Sequence, residues 1–170
     1  DAFLLVAKDI KLAGNLDFVA AWYIKATDYM KNHPHVETAF VSTNSITQGE
    51  QVAVLWNYIF QQCMSIHFAH RTFVWQNAAK GKAAVHCVII GFGAKTHDRK
   101  YIFEYNSGKG EPEKLEAKNI NGYLVDAQNI FIENRKKPIS SNVQEMNYGS
   151  FALDDGNYTL SSSEKTDLVN

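Results

Sequence analysis

Proline and cysteine are scarce in this chain, net charge is nearly absent, and no long apolar run occurs. Its 170 residues include three prolines and two cysteines and carry a formal net charge of −1. That balance excludes a polybasic tail, so any contact with a polyanion has to come from a local patch. No stretch approaches the roughly 20 apolar residues that a membrane-spanning helix needs. The opening DAFLLVAKDIK has neither the cationic lead nor the small-residue cleavage site of a secretory signal. The cytoplasm is therefore the expected compartment. Cys63 and Cys87, each inside an apolar element, are expected to be buried free thiols rather than a disulfide. Length and a 45% hydrophobic content suit about one mixed globular domain with its own core. The chain begins at Asp1 directly on a helix-like pattern, as expected of a piece excised from a longer polypeptide.

Apolar residues at Phe18, Val19, Trp22, Tyr23, Ala26, Tyr29 and Met30 predict a helix over 16–31 that packs on a sheet and stops before Pro34. Residues 36–41 read as a short buried strand, ending in the polar cluster Ser42, Thr43, Asn44 and Ser45. Thr47 followed by Glu50 has the form of a capping box, after which Val52, Leu55, Trp56, Ile59 and Phe60 make one face of a helix lasting to about Gln62. Strand, turn, helix and strand together form a crossover unit of an α/β sheet. From Met64 to Trp75 the period becomes two, setting Met64, Ile66, Phe68, His70, Thr72 and Val74 on one face and His67, Ala69, Arg71, Phe73 and Trp75 on the other. After a polar turn, residues 83–92 are apolar on both faces and are expected to pair antiparallel with the preceding strand. Residues 101–105 predict one further short strand. Beyond Ser107 the chain reads as irregular with scattered strands, and a soft boundary falls at 107–118.

Candidate chemistry divides unevenly. His67, His70, His86, Cys63 and Cys87 are zinc-ligand types, but His67 and His70 are three apart on a strand and neither CxxC nor HxxxH occurs, so no metal is expected and hydrogen-bonded histidines are the plainer reading. Ser42, Thr43 and Ser45 lack a nucleophile elbow and read as hydroxyls that cap the following helix. Gly91-Phe92-Gly93 lacks the third glycine and the helix of a nucleotide-binding turn, so it reads as a strand end. The row Arg71, Phe73, Trp75 is more specific, spanning about 13 Å and leading into Asn77, Lys80 and Lys82. Aromatics on strands mostly pack in cores. An aromatic beside cations at a sheet edge, however, has the means to stack on a nucleobase while the cations take phosphates.

The wording of LDFVAAWYIKA, AFVSTNSITQGEQVAVLW, IHFAHRTFVWQNAAKGKAAVHCVIIGF, AKNINGYLVDA, FIENRKKPIS and DDGNYTLS resembles, in order, consecutive blocks of the MmeI-like adenine-specific DNA methyltransferases of type II restriction-modification systems. The resemblance implies the carboxy-terminal half of a Rossmann-like class I methyltransferase sheet over 1–110 and, over 111–170, a linker and the start of a target-recognition domain. By the same resemblance, Phe73 or Trp75, with Trp75 preferred and Asn77 beside it, stacks on a flipped adenine in double-stranded DNA. Arg71, Lys80, Lys82, Arg135 and Lys136 are, as cations near this row or in the later basic cluster, expected to face the DNA backbone. Where the family favours an acidic residue after the Asn of this block, the chain has Ala78. The family's catalytic tetrapeptide carries adjacent prolines, and Pro34, Pro112 and Pro138 stand apart. The methyl donor implied, S-adenosylmethionine, is then held mainly by sequence preceding these residues, and the piece alone is expected to be inactive. The rival expectation is a non-catalytic nucleic-acid-binding or scaffold module that uses the Arg71 to Lys82 ribbon and the Arg135-Lys136-Lys137 cluster only for phosphates.

Overall fold

The structure, a computed structural model, describes residues 2–75, 85–106, 110–133, 135, 137–138, 140–144 and 161–169. The element order is α1 (Ala2–Val6), α2 (Ala20–Asn32), β1 (Glu37–Thr43), α3 (Gly49–Gln61), β2 (Ser65–Trp75), β3 (Val85–Gly93), β4 (Lys100–Glu104), β5 (Glu113–Ala117) and α4 (Ser162–Val169). Two compact units divide the chain, 1–133 and 134–170. The first holds the sheet, ordered β1-β3-β2-β4-β5. Because β1 and β2 are each antiparallel to β3, they run parallel to one another with β3 between them. The expected crossover therefore forms, and the return strand is inserted into it. β4 joins the other side of β2 in parallel, and β5 pairs antiparallel with β4.

Register decides which side chains meet the helices. Thr38, Phe40 and Ser42 of β1 lie beside Phe92, Ile90 and Val88 of β3, and Ile66 and Ala69 of β2 lie beside Phe92 and Ile90. On this face Tyr23 of α2 stacks on Phe92 at 5.5 Å between ring centres, and Trp56 of α3 meets both rings edge-on. Tyr23, Trp56 and Phe92 are fully buried. The α3 stripe is as expected, with Val52, Leu55, Trp56 and Ile59 buried and Phe60 packed at the margin. Trp56 Nε1 donates to the Ile46 carbonyl, so its one polar atom is satisfied inside the core.

Two expectations for the first half are corrected. Helix α2 starts at Ala20, and its buried face is Ala20, Ala21, Tyr23, Ile24, Thr27 and Met30, which leaves Phe18, Trp22 and Tyr29 more than half exposed. The stripe is turned because Thr27, polar in sequence, buries by donating its hydroxyl to the Tyr23 carbonyl. Strand β1 is not buried: it lies at an edge of the described sheet, alternates in exposure, and buries only Ser42.

After β5 the end of the first unit, 118–133, is irregular, as expected beyond Ser107, but it is tied rather than loose. Asp126 Oδ1 accepts from the Lys118 and Asn119 amides, and Asn121 Oδ1 accepts from those of Tyr123 and Val125. The burst YLVD is therefore a turn closed by an isolated bridge between Ile120 and Asp126, and IFIE has no regular structure; neither is a strand. Gly122 sits on Trp56, where a β-carbon would come within 2.8 Å of the indole side chain. In the second unit α4 is a helix that the sequence pattern did not announce.

Candidate nucleic-acid interface

Two β-bulges in β2 reorganise the ribbon. Pairing passes from Ile66↔Phe92 to Phe68↔Gly91, and from His70↔Ile89 to Phe73↔Cys87, so β2 carries one extra residue at each step. The strict alternation expected of 64–75 is thereby corrected. Phe68 and His70 come onto the same face as Phe73 and Trp75, the face turned away from α2 and α3. There His70 stacks on Phe103 at 4.2 Å between ring centres, and its Nδ1 lies 2.9 Å from the Tyr105 hydroxyl. Phe73 packs against Tyr105 at 5.2 Å and lies 6.4 Å from the Trp75 ring. Burial lowers the His70 pKa, so the imidazole is held neutral.

Beyond Phe73 the ribbon is two-stranded among the described residues. β4 pairs with β2 only over Phe68 to His70, and β1 reaches β3 only as far as Cys87. The last rungs, Val74↔His86 and Trp75↔Val85, extend past both neighbours. Trp75 is 51% exposed there, an indole on the last described rung of the arm, while Phe73 is half-buried behind it. Arg71 is engaged: its guanidinium donates to the Glu104 carboxylate in a close ion pair. Asn77, Lys80, Lys82 and Lys136 lie outside the described residues. Arg135 is exposed in the second unit.

The carboxyl end of β1 abuts the base of this arm, the side of a parallel pair where α/β sheets bind ligands. Asn44 Nδ2 donates to Thr72 Oγ1 at 3.4 Å, joining that end to β2. The expected capping by Ser42, Thr43 and Ser45 is corrected. Ser42 Oγ meets the Tyr23 hydroxyl at 2.9 Å in the core, Thr43 meets Ser45, and Ser45 donates to Asp17. Burial pushes the Tyr23 phenol up to about 12, against the smaller lowering effect of Ser42. Nor does Thr47 cap α3. Its hydroxyl donates to the Asn44 carbonyl, and the N-cap is Gln48, without a side-chain cap hydrogen bond. The reason is Gly49, whose φ of +55° takes the backbone out of the geometry a Thr47–Glu50 box needs.

The histidine and cysteine set does not converge. Cys87 is buried, with its thiol pKa raised by desolvation, whereas Cys63 is exposed, a correction to its expected burial. Cys63 follows α3 at φ 59°, the left-handed position that ends a helix and turns the side chain outward. His86 is exposed on the arm, and His67 instead meets Glu37 and His97. Gly91-Phe92-Gly93 ends β3 as expected. The Phe68 ring covers Gly91, and His67 and the Val36 carbonyl crowd Gly93. Sequence reasoning missed Thr72, Glu104 and Tyr105 as partners of the arm, since bulges are set by the partner strand and leave no composition signal here.

Comparison with known proteins places this geometry. The family model for the MmeI DNA-methyltransferase domain matches residues 1–104, and that for the MmeI target recognition domain matches 126–170. DNA methyltransferase A of Bacillus subtilis (strain 168) is 40% identical over 162 residues, covering 95% of this chain and 18% of the relative. The solved structure of the type IIL restriction-modification enzyme MmeI in complex with DNA superposes with a TM-score of 0.89 at 50% identity, covering 98% of this chain and 22% of that one. The chain thus spans about a fifth of the length of the relatives it matches. With its first 104 residues matched by the methyltransferase-domain model and the target-recognition model following in order, the chain belongs to the MmeI family of DNA methyltransferases.

Proposed function

We propose that this chain is the carboxy-terminal part of the catalytic domain, over 1–110, and the entry to the target-recognition domain, over 111–170, of a bacterial, cytoplasmic, adenine-N6 DNA methyltransferase in a restriction-modification system. In this reading the sheet is the second half of a Rossmann-like class I fold, and the free edge of β1 receives the strands of the parent polypeptide. The observation that carries the reading is Trp75: a half-exposed indole on a two-stranded arm, backed by Phe73 and rooted beside the carboxyl end of β1. Extruding a base costs a few kcal/mol, and stacking returns roughly 1–3 kcal/mol per base. The arm's share of the chemistry is to hold the flipped adenine in line while the parent supplies the amine's acceptors.

The glycine-containing end of β3 does not fit the methyl donor. The Gly91-Phe92-Gly93 stretch is a filled strand end that offers no cradle. S-adenosylmethionine, which supplies the methyl group when bound, is in this reading held mainly by the parent polypeptide outside this chain. In the parent polypeptide, Trp75→Ala should lower methyl transfer to duplex DNA by about 5- to 100-fold. Placing the target adenine in a mismatch should recover part of the loss, because an unpaired base costs less to extrude. Unchanged methylation with both Phe73 and Trp75 truncated would refute the reading. Salt-sensitive DNA binding that is lost equally for matched and mismatched sites would instead favour a phosphate-only role.

A further inference from the structure

At the end of the sheet opposite the arm, Glu37 opens β1, Ser65 opens β2 and Gly93 closes β3, and both Glu37 and Ser65 lie beside Gly93 in the register. The first bulge of β2 turns His67 into this corner, and the loop after β3 brings His97 to the same place. His97 Nε2 lies 2.5 Å from Glu37 Oε1, His67 Nδ1 lies 3.7 Å from that oxygen, and the two imidazole centroids are 4.2 Å apart. One ligand atom from each of the three residues falls within 4.8 Å of the others.

A second, independent observation marks the same corner. Among the described residues, the buried side-chain polar atoms without a hydrogen-bond partner are Ser65 Oγ and His67 Nε2. Orphaned buried donors and acceptors are rare in folded proteins, and a bound ion or water is one of the features that completes them. Gly93 makes room for the arrangement, since a β-carbon there would lie 3.2 Å from the His67 ring.

We propose that Glu37, His67 and His97 form a divalent transition-metal site, with zinc as the best-matched ion and solvent in the fourth position. Two imidazoles and one carboxylate are a known ligand set for zinc, and three protein ligands leave one position open. The charges of Lys95 and Lys100 act on this corner, so it has little surplus negative charge. Selection has to come from imidazole coordination, which favours zinc, cobalt and nickel over magnesium and calcium. From His67 the site is about 25 Å along β2 from Trp75 at a strand's rise. It therefore lies remote from the base-stacking arm, and a bound ion there ties β1, β2 and the loop after β3 together across β3.

The test is titration of the chelator-treated 170-residue chain with cobalt(II), followed by its visible d–d bands, and displacement by zinc. One equivalent should bind and raise the thermal midpoint. His97→Ala and Glu37→Gln, both at solvent-accessible positions, should each weaken binding by at least about tenfold, with unchanged far-ultraviolet circular dichroism. The double variant His33→Ala/His35→Ala, which removes a neighbouring surface histidine pair outside the three proposed ligands, should bind as the parent chain does. Absence of a saturable cobalt spectrum overturns the proposal, as does one that survives His97→Ala and Glu37→Gln or is lost in the His33/His35 variant. A carboxylate bridging two imidazoles by hydrogen bonds alone would then account for the corner.

Discussion

The ring of Phe68 lies directly over Gly91, its cross-strand partner, so that a β-carbon at position 91 would fall inside the space the ring occupies. Gly91 is therefore a packing residue of the uncovered sheet face rather than part of a ligand-binding turn. Gly91→Ala should destabilise the chain by about 1–3 kcal/mol through overpacking. Pairing it with Phe68→Ala should cost clearly less than the two single changes added together, because the second removes what the first collides with. Urea unfolding of the four chains measures this, and simple additivity would show that the ring moves aside freely.

Tyr23 gives an alkaline signature. Its buried phenol has a folded-state pKa of about 12, against about 10 when unfolded. The folded chain thus keeps a proton that the unfolded chain loses. Stability from this group is complete below pH 10 and is lost as pH climbs towards 12. Unfolding monitored across that range should steepen with pH, and Tyr23→Phe should flatten part of the decline at the expense of the bond to Ser42. Tyr58, also raised by burial and by its bond to Asp28, keeps the flattening from being complete.

Where one segment's own periodicity decided the outcome, the fold was legible. Val52, Leu55, Trp56 and Ile59 declare a helix face, and the apolar run at 83–92 declares a strand, seen as Val85–Gly93 with its residues from Cys87 onward mostly buried, because burial on those elements largely follows from their own spacing. Where a partner decided, it was not. The side of the sheet on which Phe68 and His70 emerge depends on two bulges fixed by β3. The site was legible to the same extent: Trp75 and Phe73 stand out as types and positions, but the Asn44–Thr72 and Arg71–Glu104 links need the fold. The capping pattern makes the point within one chain. Ser161 and Glu164 form the reciprocal box at α4, Ser161 N to Glu164 Oε2 at 2.8 Å and Glu164 N to Ser161 Oγ at 3.3 Å. Thr47 and Glu50 have the same spacing, yet Gly49 at a positive φ sets the N-cap elsewhere.

Arg71 is expected to contribute less to DNA affinity than its position suggests. Its guanidinium is already neutralised by Glu104, and a cation that keeps its carboxylate partner releases few counterions when it nears a phosphate. In the parent polypeptide, Arg71→Ala should weaken DNA binding by no more than about threefold and change the salt slope by less than the ~0.9 of a full phosphate contact. Glu104→Gln should act in the opposite direction, tightening binding and steepening the slope. A large loss in Arg71→Ala with no effect of Glu104→Gln would mean that the pair opens on DNA.

His70 makes the arm acid-sensitive. Burial holds its pKa below the 6.5 of a free imidazole, while the ring packs on Phe103 and bonds to Tyr105. Below about pH 6.5 the unfolded chain takes up a proton that the folded chain refuses, so stability falls as pH drops, whereas above that value both states are neutral and the group has no effect. Protonation in the folded state would put a charge against Phe103 and loosen the strand that carries Phe73 and Trp75. Thermal unfolding from pH 7.5 to 5 should show a declining midpoint, and His70→Phe should lessen the slope while retaining the stack on Phe103. If both chains lose stability in parallel, the acid response lies in other groups and the arm's root is not its sensor.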